Sequence, residues 1–183
     1  DDAAAAGVGA ALVVTAPPAC DRRAAHAWLQ AVAARARAHG LRILGPGTFG
    51  LMRTDIGLNA SFSDIAANRG HLALVSQSGA VATAMLDFAS PMGIGFSTVV
   101  TLGDAIDVDI GELLDALLAD AATDGILLYV EEVAHARRFL SALRAAARTK
   151  PVVVLKSGRS LAGAAVGGVP SEDDVFDAAL HRA

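Results

Sequence analysis

Small polar residues follow a short apolar run near the middle of the chain. The run Leu72–Val75 is typical of a buried strand, and apolar residues at helical spacing begin at Val81. The residues between them that could do chemistry are Ser76, Gln77, Ser78 and Gly79. The first N–H groups of a helix have no intrahelical partner and lie at the positive end of its dipole. This turn is therefore predicted either to bind an anion or only to cap the helix through Ser78.

A pair of glutamates follows another predicted strand, 125–130. Glu131 could accept a hydrogen bond from an imidazole or from a group that carries phosphate. Alternatively, Glu131 and Glu132 are solvated acids that the dipole of the next helix favours. Of the two, Glu131 is the better candidate for a site.

Three carboxylates occupy the loop 102–109, and hard oxygen ligands of this kind suit magnesium. A capping role explains them better, because Asp109 can cap the next helix and Glu112, three residues later, can complete a capping box. We therefore predict no metal site.

The remaining polar groups give weaker signals. Lys156–Ser160 lacks the order of a phosphate-binding P-loop, so it is either a basic loop facing phosphate or a solvated turn. Cys20 has no C-x-x-C partner. None of the histidines lies in the kind of small-residue loop that a phosphorylated or nucleophilic histidine would need; they are His26, His39, His71, His135 and His181.

The elements that must position these residues alternate between strand and helix. The pattern predicts strands at 72–76, 96–101, 125–130 and 151–155, with helices at 79–89, 110–119, 134–148 and 172–182. Such alternation implies parallel pairing, and strands that are apolar throughout imply cover on both faces. The prediction is a doubly wound, flavodoxin-like α/β fold with its ligand site at the carboxyl edge of the sheet, where Ser76–Gly79 falls.

The chain before this region has a β-α-β pattern of its own. A strand at 11–15 precedes a helix that Asp21 can cap and Gly40 can close, and a short strand, Arg42–Leu44, follows. Residues 53–70 lack periodicity and are predicted to be a linker.

Composition limits the function classes. Of the 183 residues 54% are hydrophobic, the net charge is -4, and there is one cysteine. The sequence has no stripe of basic residues of the kind that indicates nucleic-acid binding. No apolar run is long enough to cross a membrane. We expect a cytoplasmic protein. Because both ends resemble interrupted helices, we also expect a piece of a longer polypeptide.

Several motifs in order resemble those of NDP-forming acyl-CoA synthetases. They are Gly45–Gly50, Leu58–Phe62, Leu74–Ala80, Gly95–Ser97, Leu128–Glu131, Arg137–Phe139 and Pro151–Ser160. The resemblance implies the last part of a CoA-binding Rossmann-like domain at 1–58 and a succinyl-CoA-ligase-like domain at 59–183. It further implies CoA or acetyl-CoA as cofactor, with Gly45, Pro46 and Gly47 in the cofactor-binding turn.

In active members of this family a phosphohistidine lies in a loop after the Lys-Ser-Gly-Arg-Ser turn. The resemblance implies that its phosphate meets the helix start at Ser78–Gly79 and that a glutamate at the position of Glu131 orients it. Here residues 161–170 contain no histidine. Ser76, Gln77, Ser78, Gly79 and Glu131 are therefore interpreted as a vestigial anion site without a catalytic residue.

A defective domain of this kind resembles the synthetase-like region of Pat-type protein lysine acetyltransferases. That resemblance implies a non-catalytic, CoA-responsive regulatory region, with ATP-grasp-like and GNAT domains of the same polypeptide as partners and a homo-oligomer as the assembly. The first alternative is part of an ADP-forming acyl-CoA ligase that acts by phosphohistidine transfer and uses nucleotide and magnesium. The second is an interaction scaffold that binds no ligand.

Overall fold

The computed structural model describes residues 1–18 and 21–157. Two parallel strands and a helix form a small unit at the start of the chain. Its elements are α1 (Asp2–Ala5), β1 (Ala10–Leu12), α2 (Arg22–Ala38) and β2 (Arg42–Leu44). The remaining elements are β3 (Gly50–Arg53), β4 (Leu58–Ser61), β5 (Arg69–Ser76), α3 (Gly79–Ala89), β6 (Phe96–Thr101), α4 (Ile110–Ala119), β7 (Gly125–Val130), α5 (Ala136–Ala147) and β8 (Val152–Lys156).

Helix α2 crosses between β1 and β2, which pair in parallel. Its start is capped by Asp21, whose carboxylate accepts a hydrogen bond from the Ala24 N–H at 2.8 Å. Gly40 follows its C-cap at a φ of 67°, a conformation that favours glycine. The half-buried Trp28 lies on this helix. The predicted β-α-β pattern is confirmed, although the first strand is Ala10–Leu12 and not 11–15.

The larger sheet has six strands in the order β4-β3-β6-β5-β7-β8. Strands β6, β5, β7 and β8 are parallel to their neighbours, whereas β3 pairs antiparallel with both β4 and β6. The doubly wound, flavodoxin-like prediction is confirmed for a sheet that is mostly parallel and mixed at one edge. The predicted helix 172–182 lies outside the described residues.

Two apolar cores cover the opposite faces of this sheet. Side chains alternate along each strand, so Ala73 and Val75 of β5 pack against α4 and α5 while Leu74 packs against α3. Leu114 and Phe139 fill the first core, and Leu86 the second. This cover on both faces explains the continuous apolar runs of β5 and β7, whereas Val153 and Leu155 of β8 are exposed among the described residues.

The predicted linker over residues 53–70 is wrong where β4 forms. Leu58–Ser61 pairs with Gly50–Arg53 as a hairpin that completes one edge of the larger sheet. The division into domains at 1–58 and 59–183 stays a prediction, with β3 already in the larger sheet. Among the described helices, none combines the length and apolarity that crossing a membrane requires.

Candidate functional site

The turn between β5 and α3 is held by its own serines. Ser76 is fully buried, and its hydroxyl donates to the Ser78 carbonyl oxygen at 2.7 Å while accepting from the Ser78 N–H at 3.0 Å. Ser78 has extended backbone angles and is the N-cap of α3, where its Oγ accepts from the Val81 N–H at 3.3 Å. The capping role predicted for Ser78 is confirmed.

The first two N–H groups of α3, those of Gly79 and Ala80, have no hydrogen-bond partner among the described residues. They lie at the positive end of an 11-residue helix, at the carboxyl edge of the sheet. An added Cβ at Gly79 would come within 3.3 Å of the Phe49 Cβ, so glycine permits close packing here. This helix start can therefore accept an anion without losing its cap.

An open cavity of about 380 Å³ lies beside the first turn of α3. The rings of Phe49 and Phe62 form one wall, with centroids 5.3 Å apart in an edge-to-face arrangement. Gly79 and Ala80 contribute to its lining. The helix start thus borders a space with an aromatic wall.

Gln77 connects this turn to the loop that follows β7. Its Oε1 accepts hydrogen bonds from the N–H groups of Glu131 at 2.6 Å and Glu132 at 3.0 Å. Its Nε2 donates to the Glu132 carbonyl oxygen at 2.8 Å. The structure thus brings Gln77 into contact with the main chain of Glu131.

The Glu131 side chain is exposed, and its carboxylate has no hydrogen bond or ion pair among the described residues. Its carbonyl oxygen accepts from Lys156 Nζ at 2.9 Å, and the same amine donates to the Ser157 carbonyl oxygen at 2.7 Å. Lys156, treated above as part of a solvated or phosphate-facing loop, therefore supports the Glu131 loop. In the sequence, only the position of Lys156 at the end of a predicted strand indicates this role.

The predicted cofactor turn packs against the loop 102–109. The Pro46 carbonyl oxygen accepts from the Asp104 N–H at 2.8 Å, and the Gly45 carbonyl oxygen accepts from the Ile106 N–H at 3.4 Å. Gly45 and Pro46 are buried, and Gly47 is exposed at a φ of 72° with open space around it. The structure places these three residues beside one another, with Gly47 the most accessible.

Next to this contact, charged groups link β2 to the loop 102–109 and to the start of α4. Both carboxylate oxygens of Glu112 accept from the Arg42 guanidinium at 2.7 Å, and Asp107 accepts from Arg42 and from the Ile43 N–H at 2.9 Å each. The hydrogen bonds that Arg42 donates, to Glu112 first and then to Asp107, raise the pKa of Arg42. Hydrogen bonding to Arg42 in turn lowers the pKa of Glu112.

One half of the capping box predicted for Asp109 and Glu112 is present. Asp109 is the N-cap of α4 and accepts from the Glu112 N–H at 2.8 Å. The Glu112 carboxylate binds Arg42, and among the described residues it makes no return hydrogen bond to the Asp109 N–H, so the second half of the capping box does not form. No group of three or more histidine, cysteine or acidic side chains in the described part of the chain is arranged to hold a metal ion.

Comparison with known proteins identifies relatives over most of the chain. A family model described as the succinyl-CoA ligase-like flavodoxin domain matches residues 69–183. The acetate–CoA ligase (ADP-forming) I of Archaeoglobus fulgidus is 42% identical over 129 residues, which are 70% of this chain and 19% of the relative. The alpha subunit of the Pyrococcus furiosus ADP-forming acetate–CoA ligase I is 39% identical over 152 residues, or 80% of this chain and 33% of the relative.

A solved structure shares the fold of the described residues. It is an acetyl-coenzyme A synthetase 1 of Ca. Korarchaeum cryptofilum in complex with phosphate and ADP, with a TM-score of 0.87 and 30% identity. The match covers 98% of this chain and 40% of that one. This chain accordingly spans a fifth to two fifths of the length of the proteins it matches here.

Proposed function

Because this chain belongs to the succinyl-CoA ligase-like flavodoxin domain family, we propose that it is the phosphate-handling part of an ADP-forming acyl-CoA ligase. The observation that carries the proposal is the start of α3, where the Gly79 and Ala80 N–H groups have no partner among the described residues. Helix starts of this kind bind phosphate, and the relatives named above are ADP-forming acetate–CoA ligases.

The proposed reaction joins phosphate to the acyl carbon of acyl-CoA as the thiol leaves, and then moves the phosphoryl group to ADP. One acid, one CoA and one ATP form for each acyl-CoA consumed. In this scheme the α3 start binds the phosphoryl oxygens, and Glu131 accepts a hydrogen bond from the group that carries the phosphoryl. Nucleotide and magnesium would bind on an ATP-grasp-like partner domain, and the homo-oligomer expected above belongs to the same proposal.

Gly79 offers a direct test of the phosphate site. Gly79→Pro removes one free N–H at the first helical position, where proline is tolerated, and the extended backbone of Ser78 suits a following proline. Gly79→Ala brings the same Cβ against Phe49 but keeps the N–H. In titrations with inorganic phosphate, followed by ³¹P NMR, we expect roughly tenfold weaker binding for the proline variant only. Equal affinities in the two variants would contradict the proposed site.

A second candidate function is favoured by one feature of the sequence. Residues 161–170 contain no histidine, and His181 is the only one after His135. Without a phosphorylated imidazole from this segment, the chain would serve as a non-catalytic, CoA-responsive regulatory region of a Pat-like acetyltransferase whose GNAT domain does the chemistry. Gly47, exposed in the predicted cofactor turn, is then the point of contact for CoA or acetyl-CoA.

One assay separates the two candidates. The protein is combined with its ATP-grasp-like partner domain, acetyl-CoA, ADP, magnesium and ³²P-labelled phosphate. A ligase transfers the label to ATP and releases CoA in equal amount. A regulatory region transfers no label, but its melting temperature rises with acetyl-CoA. A protein that gives neither response would be the ligand-free scaffold.

A further inference from the structure

Gln77 is placed by strand pairing at the point where two functional loops meet. Parallel pairing of β5 with β7 sets Ser76 opposite Tyr129. The N–H of Gln77, the first residue after β5, donates to the Tyr129 carbonyl oxygen at 3.1 Å. The Gln77 side chain therefore starts beside the end of β7 and reaches the loop that carries Glu131.

The hydrogen bonds of the Gln77 amide leave its oxygen no capacity for further donors. A glutamine side-chain oxygen has two lone pairs, and here both are used by the N–H groups of Glu131 and Glu132. Since both neighbours are donors, the atom they face must be the oxygen. The amide nitrogen donates to the Glu132 carbonyl oxygen, which leaves one of its two hydrogens. An anion at the helix start would meet little free polar capacity on Gln77.

The Glu131 main chain is held from both sides. Gln77 binds its N–H, and Lys156 Nζ donates to its carbonyl oxygen at 2.9 Å. The carboxylate, by contrast, has no partner among the described residues. This arrangement fixes the backbone of an acidic residue while its side chain stays available.

We infer that Gln77 is a positioning residue that fixes the Glu131 loop against the start of α3, and that it is not an anion ligand. The effect on turnover rests on the proposed ligase function, whereas the effect on the loop does not. Losing the amide should loosen residues 131–132 and slow phosphoryl transfer, because Glu131 would no longer be held near the phosphate site.

The test compares three variants of the protein with its partner domain present. Gln77→Met removes all three side-chain hydrogen bonds at similar size, and Gln77→Glu keeps an acceptor for the two N–H groups. Gln30→Met makes the matched change at an exposed position on α2. We expect amide hydrogen exchange over 130–134 to be about tenfold faster in Gln77→Met, intermediate in Gln77→Glu and unchanged in Gln30→Met.

Two further measurements separate the possible roles of Gln77. We expect Gln77→Met to bind inorganic phosphate within twofold of the wild type and to lower kcat at least tenfold with an unchanged KM for phosphate. Lost phosphate binding would make Gln77 an anion ligand, and unchanged kcat or unchanged exchange would also overturn the inference. If the wild type itself shows no turnover, the proposed function fails, and exchange with phosphate affinity still decides the role of Gln77.

Discussion

Asp104 and Asp107 lie in the same loop, yet the pKa values of their carboxyl groups shift in opposite directions. Partial burial raises the pKa of Asp104, whose carboxylate has no hydrogen bond or ion pair among the described residues. Burial would also raise the pKa of Asp107, but the Ile43 N–H and the Arg42 guanidinium outweigh it and lower that pKa. One carboxylate therefore costs stability at neutral pH and the other contributes it.

Alanine substitutions should separate these two carboxylates. Asp107→Ala leaves the buried N–H of Ile43 without its acceptor, and we expect a loss of about 2 kcal/mol at pH 7. Asp104→Ala removes a charge that folding disfavours, so the free energy of unfolding should stay equal or rise. Urea unfolding of both variants measures the difference. Equal losses would show that the partners of Asp107 contribute nothing.

Among the secondary-structure elements, helix α3 owes part of its stability to its N-cap, Ser78. Ser78→Ala removes the acceptor for the Val81 N–H, and we expect a loss of about 1 kcal/mol. Ser90→Ala is the matched control, because Ser90 lies at the other end of α3 and its exposed hydroxyl has no hydrogen bond among the described residues. Chemical unfolding should detect only the first change, and an equal effect of both would contradict a capping contribution.

The β3–β4 hairpin is tied to α4 by an ion pair. The Arg53 guanidinium donates two hydrogen bonds of 2.8 Å to Asp120, directly after α4, and Thr123 donates a third at 2.6 Å. The hydrogen bond from Arg53 is the largest of the effects that lower the pKa of Asp120 from 3.8 to about 2. Because this pKa is depressed, its stabilisation is complete above the unfolded value and is lost as the pH falls toward 2.

Acid unfolding should measure the contribution of the Arg53–Asp120 ion pair to stability. Asp120→Asn should lower the free energy of unfolding at pH 7 on the order of 2 kcal/mol, and its deficit should shrink between pH 4 and pH 2. Asp115→Asn, at an exposed position of α4 without a partner among the described residues, should behave as the wild type. A deficit that stays constant across this pH range would argue against the ion pair.

The sequence predicts the parallel strands well and the hairpin poorly, for a physical reason. Leu72–Val75 is apolar because it is covered on both faces, whereas Leu58–Ser61 lies at an edge, half exposed, and carries Asn59. Its strand character comes from pairing with β3 and not from its own residues. The contact of Gln77 with Glu131 depends in the same way on pairing between distant strands, which local patterns do not contain.

At the scale of the whole molecule, the two units meet where Gly103 lies under the turn Gly45–Gly47. Gly103 has a φ of 58°, and an added Cβ would lie 1.9 Å from the Pro46 carbonyl oxygen. The loop after β6 therefore approaches the end of β2 as closely as backbone atoms allow. Glycine is the only residue that fits this contact without displacement of one unit.

Substitution of Gly103 should lower the free energy of unfolding by much more than the strain of a positive φ alone. Gly93→Ala, at a φ of 68° with open space, should cost about 1 kcal/mol. Gly103→Ala carries the same strain plus the clash, and we expect at least about 3 kcal/mol. Thermal unfolding of both variants gives the comparison. Similar melting temperatures would mean that the loop moves away from Pro46 at no cost.

The position of Trp28 has a practical consequence for spectroscopy. It is the only tryptophan in the 183 residues, and it lies on α2 in the small unit. Indole emission therefore reports on the β1-α2-β2 unit, while far-ultraviolet circular dichroism averages over both units. Unfolding of the small unit before the larger one would shift the fluorescence spectrum at lower denaturant than the dichroism signal, with no dye or label required.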